Sequence, residues 1–201
     1  MNNLNIIIYK MKRIVIFASG SGTNAENLIT YFNNSDHASV VLVLTNNPQA
    51  KVLERAKRLK VSALSFNKIA FSETDDVLNI LKSSAPDLIV LAGFLWKFPE
   101  KILNEFPNKV INIHPALLPK YGGKGMYGMH VHEAVVKNKE VETGITIHFV
   151  NQHYDEGAII FQTKCKVNPG DSPKDVGDNI HKLEMEHFPK VVESLLLPIN
   201  E

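Results

Sequence analysis

Apolar runs that alternate with amphipathic segments constrain the fold of this chain more than any other feature. The run from Arg13 to Ala18 is almost continuously apolar, and the run from Leu88 to Ala92 is entirely so. Such runs are typical of strands that are buried on both faces of a parallel sheet. Because helical patterns separate them, the sequence predicts an α/β fold whose doubly wound, mostly parallel sheet is flanked by helices. The two last strands, joined by a short turn, are expected to pair antiparallel.

The other elements are predicted from the same patterns and from turn residues. Further strands are predicted over residues 38–44, 61–66, 109–114, 142–150 and 158–167. Helices are predicted over residues 25–32, 49–59, 73–83, 129–138 and 172–197, and a shorter one is predicted to end near residue 106. Ser172 and Pro173 are expected to be the N-cap and the first residue of the last helix.

The composition fits one domain with a full hydrophobic core, because 44% of the 201 residues are apolar. We expect residues 1–11 to form an N-terminal tail and residues 12–201 to form the domain. The net charge of +1 implies no basic face, so no nucleic-acid partner is expected. No segment reaches the about 18 apolar residues of a membrane span, so no membrane partner is expected. A single cysteine, Cys165, excludes an internal disulfide and fits a reducing cytoplasm.

A predicted strand end carries the first candidate site. Asn112 and His114 lie two residues apart, so their side chains point to the same face, and Pro115 should end the strand pairing. In an open α/β sheet, ligands bind at the carboxyl ends of strands. An amide that can donate to an oxyanion, beside a titratable ring, indicates an acyl-transfer site. The alternative is a strand-end pair that only hydrogen-bonds the local loop backbone.

A glycine turn between the first strand and the first helix is the second candidate site. Gly20-x-Gly22-x-x-Ala25 matches the dinucleotide fingerprint, but the second strand ends in Thr45-Asn46-Asn47, without the acidic residue that would hold a ribose. A nicotinamide cofactor is therefore disfavoured. The backbone amides of Gly22, Thr23 and Asn24 could instead hold a phosphate ester. Alternatively, the turn only packs the helix on the strand.

Histidines near each other in the sequence raise the question of a metal site. His130, His132 and His148 are the candidates, but the usual Cys/His spacings and the His-Glu-x-x-His pattern are missing. We therefore predict no metal. Because His148 alternates with apolar neighbours, it is expected to be a hydrogen-bonded interior residue.

Taken together, these motifs resemble a known family. They occur in the order Ala18 to Asn24, Val90 to Phe94, Ile111 to Tyr121, Thr143 to Val150 and Asp155 to Gly157. In this order they resemble the phosphoribosylglycinamide formyltransferases, within the wider group of folate-dependent formyltransferases. The resemblance covers residues 12 to about 197 and implies a Rossmann-like formyltransferase domain.

The resemblance implies transfer of the formyl group of 10-formyltetrahydrofolate to the amino group of glycinamide ribonucleotide, in purine biosynthesis. It implies that Asn112 and a protonated His114 bind the oxyanion and that Asp155 raises the pKa of the histidine. We also expect a cytoplasmic protein that is a monomer or a homodimer. The residues implied in binding the ribonucleotide are Gly22, Thr23, Asn24 and Glu184. Those implied in binding the folate are Leu95, Trp96, Lys97, Phe98 and Asn112.

Three departures from the family pattern affect these expectations. Many relatives carry an arginine where this chain has Trp96, and the Asn67–Asp75 stretch lacks the arginine expected to meet the acidic tail of the folate. Lys68 or Lys97 could substitute. The Gly122–Gly128 segment is longer than in relatives, and it is either a mobile lid or a tolerated surface insertion.

Three other functions are the alternatives. Formyltetrahydrofolate deformylase would use water in place of the amine, but its family usually carries an N-terminal regulatory domain, for which ten extra residues are too few. Methionyl-tRNA formyltransferase normally adds a C-terminal domain and a basic surface, whereas this chain is nearly neutral. A non-catalytic nucleotide-binding module would use the same turn and strand end only to hold a ligand.

Overall fold

The structure is a computed structural model that describes residues 10–197. Within these residues, seven strands form one sheet in the order β3-β2-β1-β4-β5-β6-β7. The strands are β1 Lys12–Phe17, β2 Ala38–Thr45, β3 Ala63–Ser65, β4 Leu88–Leu91, β5 Val110–His114, β6 Glu142–Phe149 and β7 Ile159–Lys166. The helices are α1 Thr23–Phe32, α2 Val52–Arg58, α3 Asp76–Ser84, α4 Glu100–Glu105, α5 Met129–Lys137 and α6 Pro173–Leu196.

The predicted doubly wound sheet is confirmed. Strands β1 to β5 pair in parallel, whereas β6 pairs antiparallel with both β5 and β7. The chain runs outward from β1 to β3 and then returns to place β4 on the other side of β1. The strand order therefore reverses between β1 and β4, and the carboxyl ends of these two strands form the crevice where open α/β sheets bind ligands.

Helices cover both faces of the sheet, which explains the continuous apolar runs. Ile14 and Ile16 of β1 pack against a cluster that includes residues of α1, α5 and α6, while Val15 and Phe17 pack against α3 and α4 on the other face. All four side chains are fully buried. Because neither face of the central strands meets water, an alternating pattern is not required of them.

Four elements differ from the sequence prediction by two or three residues at one end. Helix α1 begins at Thr23, two residues before its predicted start, because Gly22 is its N-cap. Strand β3 spans only Ala63–Ser65 because it lies at the sheet edge and pairs only with β2. Helix α2 begins at Val52 because residues 49–51 form a turn. Helix α3 begins at Asp76 because a π-helical turn over Ile69–Glu73 precedes it and buries Phe71. The predicted start of α6 is confirmed, since Ser172 forms a capping box with Asp175.

Of the tail predicted over residues 1–11, residues 1–9 lie outside the described residues, and β1 begins at Lys12. Between residues 10 and 197, no helix combines the length and the apolar content that crossing a membrane would require.

Candidate active site

The carboxyl end of β5 places Asn112 and His114 on one face of the sheet. Strand β6 runs antiparallel beside it, with His148 opposite Asn112 and Thr146 opposite His114. The chain then turns after β6, and this turn carries Asp155 with a positive φ of 57°. Asn112, His114 and Asp155 all line one cavity of about 720 Å³, a volume suited to a small-molecule ligand.

Both ring nitrogens of His114 face protein groups. The side chain is almost fully buried, and Nε2 lies 2.7 Å from the carbonyl oxygen of Tyr121. A carbonyl only accepts, so Nε2 must carry the hydrogen and donate it. Nδ1 faces the carboxylate of Asp155, with 3.6 Å between Nδ1 and Oδ2. A ligand that takes a hydrogen bond from Nε2 must therefore replace the Tyr121 carbonyl.

Asp155 is anchored from several sides. Its Oδ2 accepts a hydrogen bond of 2.9 Å from the Gly123 amide, and its Oδ1 lies 3.6 Å from Nε2 of His148. Burial raises the pKa of Asp155. His148, the charge of His114 and the Gly123 amide together lower it by a larger amount, so the net pKa is below its ordinary value. The carboxyl group is therefore an anion at neutral pH.

The pKa of His114 shows two opposing influences. Burial lowers it most, whereas Asp155 and the Tyr121 carbonyl raise it, and the net pKa lies below the ordinary value. The expectation that Asp155 raises the pKa of His114 has the right sign, but burial lowers this pKa by more. A ligand that places negative charge beside the ring would favour its protonated form.

His148 is a member of this cluster that sequence reasoning assigned only to the interior. Its Nδ1 lies 2.8 Å from the Phe149 carbonyl and must donate, so Nε2 is free to accept a hydrogen bond of 3.1 Å from Nδ2 of Asn112. The same amide nitrogen lies 3.5 Å from Oδ1 of Asp155. His148 therefore fixes which way the Asn112 amide points. A prediction that β5 pairs with β6 in this register would have placed His148 beside Asn112.

The glycine turn enters the cavity through only one of the three residues predicted to bind the phosphate. Gly20, Ser21 and Asn24 line the cavity, whereas Gly22 and Thr23 do not. Gly22 is the N-cap of α1, has a φ of 73°, and has no room for a Cβ because the Val52 side chain packs against it. Gly22 is therefore required for the packing and the backbone conformation of the turn, which agrees with the alternative that the turn has a structural role. Any ligand contact from Gly22 and Thr23 would come from their backbone.

Glu184 joins the turn to the last helix. Its Oε2 accepts a hydrogen bond of 2.9 Å from Nδ2 of Asn24, so α6 and α1 meet at the cavity wall. His181, one turn earlier on α6, also lines the cavity, and its Nδ1 lies 3.6 Å from the same oxygen. The Glu184 hydrogen bond raises the pKa of His181. Oδ1 of Asn24 is buried without a hydrogen-bond partner among the described residues, which leaves an acceptor for a ligand.

The predicted folate segment divides between two clefts. Leu95 lines the main cavity, whereas Trp96, Lys97 and Phe98 line an adjoining cleft of about 480 Å³. Leu95 and Tyr154 line both, so the two clefts adjoin. Lys68, the other lysine considered for the folate tail, also lines the second cleft.

The Gly122–Gly128 segment forms one wall of the main cavity, through residues from Gly123 to Gly128.

As for metals, residues 10–197 contain no group of three or more His, Cys, Asp or Glu side chains placed to hold an ion.

Comparisons with known proteins agree with this geometry. A family model described as formyl transferase matches residues 12–192. The phosphoribosylglycinamide formyltransferase of Haemophilus influenzae is 36% identical over 188 residues, which are 91% of this chain and 86% of that protein. The chloroplastic phosphoribosylglycinamide formyltransferase of Arabidopsis thaliana is 34% identical over 187 residues, 88% of this chain. The chain spans 64% of the length of that relative.

The same relationship holds for solved structures. The crystal structure of glycinamide ribonucleotide transformylase 1 from Geobacillus kaustophilus superposes with a TM-score of 0.85 at 34% identity. The superposition covers 94% of this chain and 100% of that one. The resemblance and the Rossmann-like fold predicted from the motifs are therefore confirmed.

Proposed function

The chain belongs to the formyl transferase family, and from this premise we propose that it is a phosphoribosylglycinamide formyltransferase of purine biosynthesis. It transfers the formyl group of 10-formyltetrahydrofolate to the amino group of glycinamide ribonucleotide. The observation that carries this proposal is the convergence of Asn112, His114 and Asp155 on one cavity, with the glycine turn at its other side.

Asn112 and His114 supply the hydrogen-bond donors for the reaction. When the amine attacks the formyl carbon, negative charge develops on the formyl oxygen. The Asn112 amide and the His114 ring donate to this oxygen, and loss of one such donor in another enzyme raises the barrier by about 2.7–4 kcal/mol. His114 first exchanges its hydrogen bond to the Tyr121 carbonyl for the one to this oxygen.

Asp155 acts on the ring and on the protons. Its anion beside Nδ1 raises the pKa of His114, and the developing negative charge raises it further, so the ring becomes protonated and its Nε2–H becomes a stronger donor during the reaction. The attacking amine must lose a proton, and the folate nitrogen that carried the formyl group must gain one when its bond to the formyl carbon breaks. Asp155 is the anion that can take the first proton and pass it to the leaving nitrogen.

The ribonucleotide is held by the turn after β1 and by α6. The backbone amides of Gly22, Thr23 and Asn24 lie at the N-terminus of α1, where the helix dipole favours a phosphate. Glu184, across from Asn24, binds the glycinamide end. Oδ1 of Asn24, which is buried and has no hydrogen-bond partner between residues 10 and 197, supports a ligand at this place.

The folate is bound along the segment from Leu95 to Phe98. Leu95 and Asn112 contact it in the main cavity, and Trp96 provides a partly buried aromatic surface in the adjoining cleft. Lys68 and Lys97 are exposed in that cleft, and within residues 10–197 neither pairs with an acidic side chain. They bind the carboxylates of the glutamate tail in place of the missing arginines. No metal takes part.

We further propose that residues 12–201 form a single formyltransferase domain that works in the cytoplasm as a monomer or homodimer. The near-neutral net charge and the single cysteine support a setting without nucleic acid or disulfides.

One assay separates this function from its alternatives. The protein is mixed with 10-formyltetrahydrofolate, and release of tetrahydrofolate is followed with and without glycinamide ribonucleotide. Release that requires the ribonucleotide is the expected result. Release without it would indicate a deformylase, and no release in either mixture would indicate a binding module. Release that requires charged initiator tRNA would indicate a methionyl-tRNA formyltransferase.

A further inference from the structure

A histidine on α5 lines the main cavity but has no part in the reaction described so far. His132 is 7% exposed, and its Nδ1 is buried without a hydrogen-bond partner among the described residues. A buried nitrogen of this kind carries a desolvation cost that no hydrogen bond within the protein offsets. Nδ1 is closed off from solvent, so a ligand can reach only Nε2, which lies beside Gly177 in the wall of the cavity. Because the ring makes no hydrogen bond with the described residues, the partner of Nε2 is expected to be an atom of the ligand.

Helix α6 leaves room for this ring. Gly177 lies in the interior of α6, where glycine is less favourable than alanine because it loses more backbone freedom on folding. A Cβ at Gly177 would lie 3.1 Å from Cδ2 and 3.4 Å from Nε2 of His132, closer than packed atoms normally approach. The glycine therefore allows the ring to pack against α6, which fixes its position in the wall.

The surroundings of His132 indicate which ligand atom it meets. Burial lowers the pKa of His132, Glu184 raises it and His114 lowers it, with a net pKa below the ordinary value. The ring is thus near both the residue proposed for the glycinamide end and the proposed oxyanion donor. At neutral pH it is uncharged, so one of its nitrogens can accept a hydrogen bond. The amine of the ribonucleotide, which must approach His114 to react, carries hydrogens to donate.

We infer that His132 is a further substrate-binding residue, which accepts a hydrogen bond from the amino group of glycinamide ribonucleotide. This contact turns the lone pair of the amine toward the formyl carbon, and such orientation contributes directly to rate. The inference rests on the proposed function, because it names a contact to that substrate. Together with Glu184, His132 gives the amine end two acceptors on two different helices.

Calorimetric binding of two ligands tests this contact. Glycinamide ribonucleotide carries the amine, whereas ribose 5-phosphate keeps the phosphate and lacks it. We expect His132→Phe to raise the Kd of glycinamide ribonucleotide about tenfold, the effect of one lost hydrogen bond, and to leave the Kd of ribose 5-phosphate unchanged. His132→Gln, whose amide can take the place of Nε2, should recover part of the affinity. His130→Phe is the matched control, since His130 lies exposed on the same helix and does not line the cavity.

The outcomes separate this inference from the proposed function. Wild-type affinity in His132→Phe, or equal weakening of both ligands, would overturn the amine contact and leave the function standing. Failure of the wild-type protein to bind glycinamide ribonucleotide would overturn the function itself. Binding of tetrahydrofolate reports whether each variant is folded, and if His132→Phe fails this check, His132→Gln decides by its intermediate affinity. We also expect His132→Phe to unfold at or above the wild-type temperature, because it removes Nδ1, which is buried without a partner among the described residues. A purely structural histidine would give a lower one.

Discussion

Asn112 donates a hydrogen bond of 3.1 Å to Nε2 of His148, its partner on the neighbouring antiparallel strand. His148 is itself held by the Phe149 carbonyl, so the orientation of the Asn112 amide is determined by two strands rather than by a loop. A donor aimed at a developing charge contributes most when it needs no reorganisation during the reaction. This relationship explains how an asparagine at a strand end can serve as an oxyanion donor.

The first prediction concerns this anchor. His148→Phe removes the acceptor of the Asn112 amide but keeps a ring of similar size, so we expect kcat to fall about tenfold with little change in the KM of either substrate. Steady-state kinetics with both substrates varied check this. His153→Phe, in the exposed turn after β6, is the control and should keep wild-type kcat. An unchanged kcat in His148→Phe would show that the amide is oriented by something else.

The second prediction concerns the carboxylate beside His114. Because Asp155 raises the pKa of the ring, Asp155→Asn lowers that pKa further, and the ring loses its proton at a lower pH. If the protonated ring is the donor, the pH above which kcat/KM declines should move downward, and kcat should fall at least about 100-fold. The pH profile of kcat/KM provides the measurement. Glu156→Gln, at the exposed neighbouring position, should leave both quantities unchanged. An upward displacement of the profile would contradict the assigned role.

The third prediction separates the two glycines of the turn. Gly20 lines the cavity, and a Cβ there would meet no atom within 4 Å, so Gly20→Val should leave thermal stability unchanged. Its side chain would reach into the ribonucleotide site and raise the Kd of glycinamide ribonucleotide at least about tenfold. Gly22→Ala should instead lower the unfolding free energy by about 1–3 kcal/mol, because of the positive φ and the contact with Val52. Thermal unfolding and calorimetry distinguish the two effects, and unaltered ribonucleotide affinity in Gly20→Val would place the phosphate elsewhere.

The fourth prediction concerns the glutamate tail of the folate. The double variant Lys68→Glu/Lys97→Glu reverses the charge of both lysines in the adjoining cleft. Because exposed ion pairs contribute little individually, we expect the two changes together to raise the KM of triglutamylated 10-formyltetrahydrofolate only roughly tenfold. The KM of the monoglutamate should rise less, because it has fewer carboxylates. Lys166→Glu, on an exposed part of β7, makes the same change of charge away from both clefts. Equal effects on both folates would mean that the cleft does not bind the tail.

Local sequence patterns predicted the sheet and part of the cavity. The alternation of side chains along a strand placed Asn112 and His114 on one face, and the apolar run of Leu88–Leu91 identified a central strand. These inferences depend only on neighbouring residues, so periodicity is sufficient for them. The meeting of Asp155 with His114 depends on how β6 and its following turn lie beside β5. Periodicity gives no information on that arrangement, and only the family resemblance indicated it.

Other features of the site have no local signature at all. The Tyr121 carbonyl that binds His114 is a backbone group of a loop, and any residue type at position 121 would supply it. The net pKa of His114 depends on burial, which sequence does not quantify. The sequence indicated His132 only as a candidate metal ligand. Its burial and its place in the cavity wall depend on how α5 packs against the rest of the fold, which the sequence pattern does not show.

The most direct test of the whole account is the turnover of Asn112→Ala and His114→Ala with saturating glycinamide ribonucleotide and 10-formyltetrahydrofolate. Asn34→Ala and His37→Ala remove the same residue types at exposed positions outside the cavity and serve as controls. We predict that each active-site variant keeps its fold and loses at least about 100-fold in kcat, the lower range for an oxyanion donor or an acid–base group, while the controls keep wild-type kcat. Near-normal turnover in either active-site variant would contradict the account.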